Sequence, residues 1–268
     1  MPDVPPYFDY LIQGFWSGQA ARNVHLGYWD DPPPLTVPCD QQEFEAAQAR
    51  LTDIVIELAK LRDGCSVLDV GCGFGGTLEA LGKRPDMRLT GLNVDRRQLE
   101  ICRTVPVGGN SLSLVMADAC ALPFRPASFD RVFCVEAAFH FSGRDIFLRQ
   151  AAEVLRRDGR LVLSDILLRK PGEPAALSPL AIETTIRREY GPWPELWVEI
   201  SEIVHMARLA GLQPERVLDI TRETMPSYRA TAPQDHEVLP QHPSAGSVLR
   251  WLHRAGYLSY LCMSFIKP

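Results

Sequence analysis

A chain of 268 residues, 46% hydrophobic and 23% charged, can bury a full core and has the balance of an ordinary globular protein. Its formal net charge of -5, with no basic cluster beyond isolated pairs such as Arg156-Arg157 and Arg187-Arg188, argues against a nucleic-acid partner. The seven scattered cysteines are odd in number and contain no C-x-x-C pair, which disfavours a disulfide framework or a zinc site and predicts reduced thiols in a cytoplasm.

Residues 1–20 lack the basic start and apolar run of a signal peptide, and no apolar stretch is long enough to span a membrane. The first forty residues carry Tyr7, Phe8, Tyr10, Phe15, Trp16, His25, Tyr28 and Trp29, then Pro32-Pro33-Pro34. That is too aromatic for a disordered tail. Residues 1–40 are expected to form a packed arm or a lid over a ligand pocket. From Gln41 to Lys60, Phe44, Leu51, Ile54, Val55 and Leu58 recur on one helical face.

Val67-Leu68-Asp69-Val70 then reads as a buried strand, and Gly71, Gly73, Gly75 and Gly76 follow at once. Thr77–Leu81 starts a helix whose free N–H groups face whatever sits above the loop. Strand, glycine loop and helix together make a nucleotide-type binding turn. Gly71, Gly73 and Gly76 also satisfy G-x-G-x-x-G, a pattern weak by itself that marks a dinucleotide site or a tight turn; the strand before it and the helix after it favour a binding turn. Met87–Asn93, Leu112–Met116, Phe129–Val135 and Arg160–Asp165 are the next strands, with helices at Arg96–Arg103 and Asp145–Arg156. Alternating strands and helices predict an α/β, doubly wound, mainly parallel sheet. Residues 41–170 are its core.

Five prolines interrupt residues 171–199, which also carry Trp193 and Trp197; this segment reads as a cap over the carboxyl end of the sheet. Residues 200–268 return to the core with a helix at Ile200–Gly211, a strand at Val217–Ile220, an irregular second cap segment over 222–246, a helix at Ser247–Gly256 and a last strand from Tyr257 to Ile266. That makes seven strands in all.

Ligands on such sheets bind beyond the carboxyl ends of the strands. Those ends carry Asp69, Asn93, Asp118, Glu136 and Asp165. Asn93 can hydrogen-bond a hydroxyl, or it can be a plain strand-end turn residue. Asp118 can accept from an exocyclic amine such as that of adenine, or it can cap a turn.

Val67–Gly76, Gly91–Gln98, Ala117–Phe124, Ser128–Phe141 and Leu155–Asp165 resemble, in order and spacing, the successive motifs of class I S-adenosylmethionine-dependent methyltransferases. Asn93 with Gln98 in place of the usual acid, Phe139-His140-Phe141 and His25-Leu26-Gly27-Tyr28-Trp29 resemble the small-molecule branch. That branch includes tocopherol, sterol-type, geranyl-diphosphate and sugar O-methyltransferases. The resemblance implies a Rossmann-like methyltransferase fold with an antiparallel last strand and a helical cap. It implies S-adenosylmethionine as cofactor, with S-adenosylhomocysteine as product. The loop at Gly71, Cys72 and Gly73 would lie against it. Asp69 would orient the loop or hold the methionine amino group. Asn93 and Gln98 would take the ribose hydroxyls, Asp118 and the Ala119 N–H would frame adenine, and Glu136 would sit under the methionine part.

Methyl transfer needs a nucleophile held in line with the methyl group, and a hydroxyl nucleophile benefits from a base. His140, oriented by Asp165 or a nearby carboxylate, is the expected base. Trp193 and Trp197, with His25, Tyr28 and Trp29 of the arm, are the expected substrate contacts. The acceptor is then a small, fairly apolar molecule, methylated on oxygen, carbon or nitrogen. An Asn-Pro-Pro-Tyr motif is absent, and no spacing calls for a metal. A dinucleotide-dependent oxidoreductase and a non-catalytic cofactor-binding protein are the alternatives; Asn93 and the Asp118 motif weigh against the first, and the intact loop with Asp69 against the second.

Overall fold

A computed structural model describes residues 7–172, 177–232 and 243–268. Seven strands, β1 (Ser66–Val70), β2 (Arg88–Asn93), β3 (Ser111–Met116), β4 (Phe129–Val135), β5 (Leu155–Leu168), β6 (Gln213–Asp219) and β7 (Leu258–Ile266), form one sheet in the order β3-β2-β1-β4-β5-β7-β6. β7 alone runs antiparallel to its neighbours. The strand order reverses between β1 and β4, and the crevice above that switch point is where this architecture places ligands.

The helices are α1 (Tyr7–Trp16), α2 (Gln41–Leu58), α3 (Gly76–Gly82), α4 (Arg96–Cys102), α5 (Arg144–Val154), α6 (Pro179–Tyr190), α7 (Ile200–Leu209) and α10 (Ala245–Arg254), with one-turn helices α8 (Thr221–Thr224) and α9 (Tyr228–Thr231). All five residues of β1 are buried, as a strand covered on both faces requires. Leu51 and Val55 of α2 pack on one face of the sheet with Val67, Phe133 and Val162. Phe147, Leu148 and Ala151 of α5 pack on the other face with Leu68, Val132 and Cys134. The Asp40 carboxylate caps α2 by accepting from Glu43 N at 2.8 Å, and Asp95 caps α4 through Arg97 N at 2.9 Å. No helix among the described residues is long and apolar enough to cross a membrane.

Three elements differ from the sequence reading. β5 begins at Leu155 rather than Arg160, because Leu155 already pairs with Phe129 before a register shift, and it continues to Leu168 along β7. β6 starts at Gln213, four residues earlier than its apolar pair Val217-Leu218 suggests. It is an edge strand that needs only β7 as a partner, so its residues are largely exposed and its hydrophobic signal is weak. Within the cap region, Ser178-Pro179 starts a helix instead of breaking one. The serine hydroxyl accepts from Ala181 N, and proline fits the first helical position. The described part of 222–246 consists of short helical turns; residues 233–242, with His236 and His242, lie outside the described residues.

Asp165 and Arg144 form an ion pair at 2.8 Å between side chains that are 0% and 3% exposed. Arg144 also donates to the Glu195 carbonyl at 2.9 Å, so the pair fastens the 191–199 loop to β5. Removing one member of a buried pair strands the other charge. Asp165→Ala should therefore destabilise the protein by about 3–5 kcal/mol in urea unfolding, and adding Arg144→Met should recover much of that loss. An unchanged unfolding midpoint in the single variant would contradict this role.

Candidate active site

The glycine loop turns sharply out of β1. Gly71 has φ 73°, and a Cβ there would stand 2.6 Å from the Ala137 Cβ. Gly73 has φ 53°, with the Val24 side chain 3.1 Å from where its Cβ would be. The loop backbone thus packs against the β4 end on one side and the N-terminal arm on the other. Above it lies a cavity of about 150 Å³ lined by Gly71, Gly73, Asn93, Gln98, Glu136 and His140, with Tyr7, Phe8 and Tyr190 closing it. A second cavity of about 190 Å³ adjoins it. Tyr7, Val24, Glu136, Phe139 and Tyr190 line both and form their common wall.

Glu136 stands at the centre of that wall. It ends β4 in the left-handed region, φ 50°, a conformation that disfavours most side chains. Its N–H donates to the Ser164 carbonyl at 3.0 Å, which holds it there. Its Oε2 accepts from the Tyr260 hydroxyl at 2.6 Å and from Leu26 N at 2.9 Å. Both of these bonds end on Oε2, and none among the described residues reaches Oε1. Burial pushes the carboxyl up to about 7, against the opposing pull of the two hydrogen bonds.

Asn93 and Gln98 are joined, the Asn93 amide donating to Gln98 Oε1 at 3.1 Å. Asn93 Oδ1 accepts from Asp95 N at 3.0 Å, so the pair presents a fixed polar edge to the smaller cavity. Asp69, Cys72, Asp118 and Ala119 line neither of these two cavities. Asp69 is 2% exposed, and its Oδ2 has no partner among the described residues. Burial raises it to about 7, and a cationic ligand group would complete the unmet bond. Asp118 caps a turn, its carboxylate accepting from Cys120 N at 2.8 Å.

His140 and Asp165 are not partners. Asp165 is committed to Arg144, whereas His140 Nδ1 lies 2.9 Å from the Pro192 carbonyl. A carbonyl only accepts, so Nδ1 carries the proton and Nε2 is left as an acceptor. Burial lowers the imidazole to about 4 and keeps it neutral. Of the expected substrate contacts, His25 and Trp193 line the larger cavity. His25 is held at both nitrogens, by the Leu26 carbonyl at 2.7 Å and Thr52 Oγ1 at 3.1 Å. Tyr28, Trp29 and Trp197 lie elsewhere: Tyr28 under Arg50, Trp29 stacked on Phe44, and Trp197 donating to Glu183. Tyr190, Tyr228 and Tyr260 escaped the sequence reading. They sit at a helix end, in a short turn and in the last strand, where nothing in the local pattern sets them apart.

The arm is fastened over this site. Arg22 donates to the Phe74 carbonyl at 3.2 Å and to Thr104 Oγ1 at 2.8 Å, and pairs with Glu79 at 3.2 Å. Phe15 packs on Phe74 with ring centroids 5.5 Å apart.

Residues 68–163 match the model of a methyltransferase domain. The chain is 34% identical over 227 residues to 27-O-demethylrifamycin SV methyltransferase of Amycolatopsis mediterranei (strain S699), covering 83% of this chain and 76% of that one. It is 32% identical over 211 residues to O-methyltransferase cnsE of Penicillium expansum, covering 77% and 71%. Among solved structures, mycolic acid cyclopropane synthase CmaA1 complexed with SAH and CTAB superposes with a TM-score of 0.76 at 20% identity, covering 98% of this chain and 96% of that one. The last likeness is one of fold.

Because Arg22 ties the segment after α1 to the Phe74 and Thr104 backbone region and to Glu79, Arg22→Ala should loosen α1. Chymotryptic cleavage within Tyr7–Trp16, followed by mass spectrometry, should run roughly tenfold faster than in wild type. Equal rates would mean that Arg22 does not hold α1 in place.

Proposed function

This chain belongs to the S-adenosylmethionine-dependent methyltransferases, and on that premise we propose that it methylates a hydroxyl oxygen of a small natural-product-type acceptor held in the larger cavity. S-adenosylmethionine is its cofactor. The observation that carries the reading is the pair of adjoining cavities, one over the glycine loop and one beyond it, with Glu136 in the wall between them. Methylation on oxygen is supported by the relatives, one acting on an O-demethyl compound and another named an O-methyltransferase. The aromatic and aliphatic lining supports a fairly apolar acceptor.

When bound, the cofactor supplies a methyl group on a positively charged sulfur. The residues of this chain do the rest. Gly71 and Gly73 admit the ligand close to the backbone, and Asn93 with Gln98 offers hydrogen bonds to ribose hydroxyls. Asp69 meets the amino group, and Asp118 with the Ala119 N–H frames the base. The described parts of the arm (7–40) and of the cap (177–199) exclude water from the reacting atoms.

Glu136 takes the acceptor's proton through its open Oε1 as the new C–O bond forms. Its carboxyl titrates near 7, close to a working pH, which suits a general base. A second reading has His140 as the base, favoured by the tautomer that Pro192 imposes. The two differ in pH dependence. A carboxylate raised to about 7 becomes competent only as pH climbs through 7, so kcat should rise through that point and level above it. An imidazole lowered to about 4 is already neutral at pH 6, and kcat would be flat from there upward.

Glu136→Gln keeps acceptors for Tyr260 and Leu26 N while removing the base. It should lower kcat by about 10²–10⁴-fold and abolish the rise through pH 7, whereas His140→Ala should leave that rise in place. A flat wild-type profile with a large loss only in His140→Ala would favour the second reading. Gly71→Ala would force a Cβ against Ala137 and strain a positive φ. It should weaken S-adenosylhomocysteine binding by roughly tenfold or more in calorimetry, and unchanged affinity would remove this loop from the cofactor site.

A further inference from the structure

We propose that the larger cavity selects its acceptor through a carbonyl oxygen, which receives hydrogen bonds from the indole N–H of Trp193 and the hydroxyl of Tyr228, so that the substrates are hydroxylated ring compounds bearing a ketone or quinone carbonyl. The inference rests on the reading above only in taking the occupant of this cavity to be the methyl acceptor.

Trp193 and Tyr228 are 1% and 2% exposed, and both line the larger cavity. Neither Trp193 Nε1 nor the Tyr228 hydroxyl has a hydrogen-bond partner among the described residues. Buried donors are nearly always paired in native proteins, so two orphans around one cavity point to a partner supplied by a ligand. Indole can only donate, so the ligand atom facing it must accept. An anionic acceptor is disfavoured, because the Glu136 carboxylate lines the same cavity. A neutral carbonyl oxygen, with two lone pairs for two donors, satisfies all three constraints.

Both donors are held in place before any ligand arrives. The Trp193 ring stacks on Phe139 with centroids 4.2 Å apart and planes 21° from parallel. Its carbonyl accepts from Arg187 Nε at 3.3 Å, and Arg144 grips the carbonyl of nearby Glu195. The Tyr228 ring meets His253 edge-on at 5.5 Å. Such fixed donors reject analogues that leave them unpaired more strongly than apolar contacts reject a change of size. The cavity of about 190 Å³ also suits a substituted ring or a fused pair, since an apolar cavity of about 150 Å³ accommodates benzene.

The test uses a matched pair of probes, a hydroxytetralone and the corresponding hydroxytetralin, which differ only in the ketone. Each is titrated by calorimetry into the full chain saturated with S-adenosylhomocysteine. The ketone should bind about tenfold to a hundredfold more tightly. Tyr228→Phe keeps the ring and removes one donor; Trp193→Phe keeps an aromatic ring beside Phe139, removes the other donor and shortens the side chain. Each should narrow that preference and the double variant should erase it, while S-adenosylhomocysteine affinity stays at wild type; Tm should hold or rise in Tyr228→Phe and fall modestly in Trp193→Phe, whose smaller ring leaves a cavity. Equal affinities for the two probes in wild type, no binding of either, or a preference that survives in the double variant would each overturn the inference. Methyl transfer to the same two probes is followed in parallel samples that hold S-adenosylmethionine in place of S-adenosylhomocysteine. Loss of transfer with the ketone preference intact would count against the proposed function alone, and transfer to both probes without a binding preference would count against the carbonyl site alone.

Discussion

A single carboxylate, that of Glu136, ties together the parts of the chain that must meet for a closed site to exist. It ends β4 with a backbone conformation that costs an ordinary residue about 1–3 kcal/mol and persists only where the surroundings over-determine it. The surroundings here are Ser164 of β5, Tyr260 of the antiparallel last strand and the Leu26 N–H of the arm. The arm is therefore bonded to the sheet at the point where the two cavities meet. Burial and hydrogen bonding pull the same carboxyl in opposite directions. Burial wins, leaving a carboxyl poised near neutrality in the wall between the two cavities.

A second buried charge has the opposite character. Asp165 lies one strand over, and its two oxygens are taken by Arg144 and the Ile166 N–H, the first of which reaches on to the loop that carries Trp193. Glu136 keeps an oxygen free and Asp165 does not. The difference follows from Arg144 entering from the start of α5. It sets a carboxylate with an open oxygen in the wall between the cavities apart from one that fixes the shape of the larger cavity. The cavity's donors are rigid for the same reason: the loop holding one of them is anchored to the core by an ion pair from which water is excluded.

The centre of the fold was legible because strands buried on both faces write themselves as apolar runs, and because the loop after β1 needs glycines for positive φ and close approach. The polar edge at Asn93 and Gln98, and the place of Glu136 and His140, follow from the rule that ligands sit beyond strand ends. What escaped depends on contacts between residues far apart in the chain. The pairing of His140 with Asp165 was reasonable from adjacent strand ends, but Arg144 claims Asp165 and the Pro192 carbonyl claims His140. Tyr228 and Tyr260 reach the site from the last quarter of the chain, and no local periodicity separates a cavity-lining tyrosine from a packed one. The edge strand β6 was half hidden because exposure dilutes its pattern. Ser178-Pro179 carried a readable helix start, obscured by the prolines around it.

The central claim is that the two cavities form one reaction path along which a methyl group passes to an acceptor oxygen. Its most direct test is incubation of the purified chain with S-adenosylmethionine labelled in the methyl group and a panel of hydroxylated ring compounds, followed by mass spectrometry and NMR of the products. The account predicts that the label appears on a hydroxyl oxygen of a panel member, with one S-adenosylhomocysteine formed for each methyl transferred. Tight binding of S-adenosylhomocysteine with no label on any hydroxyl compound, or label found only on carbon or nitrogen, would contradict it.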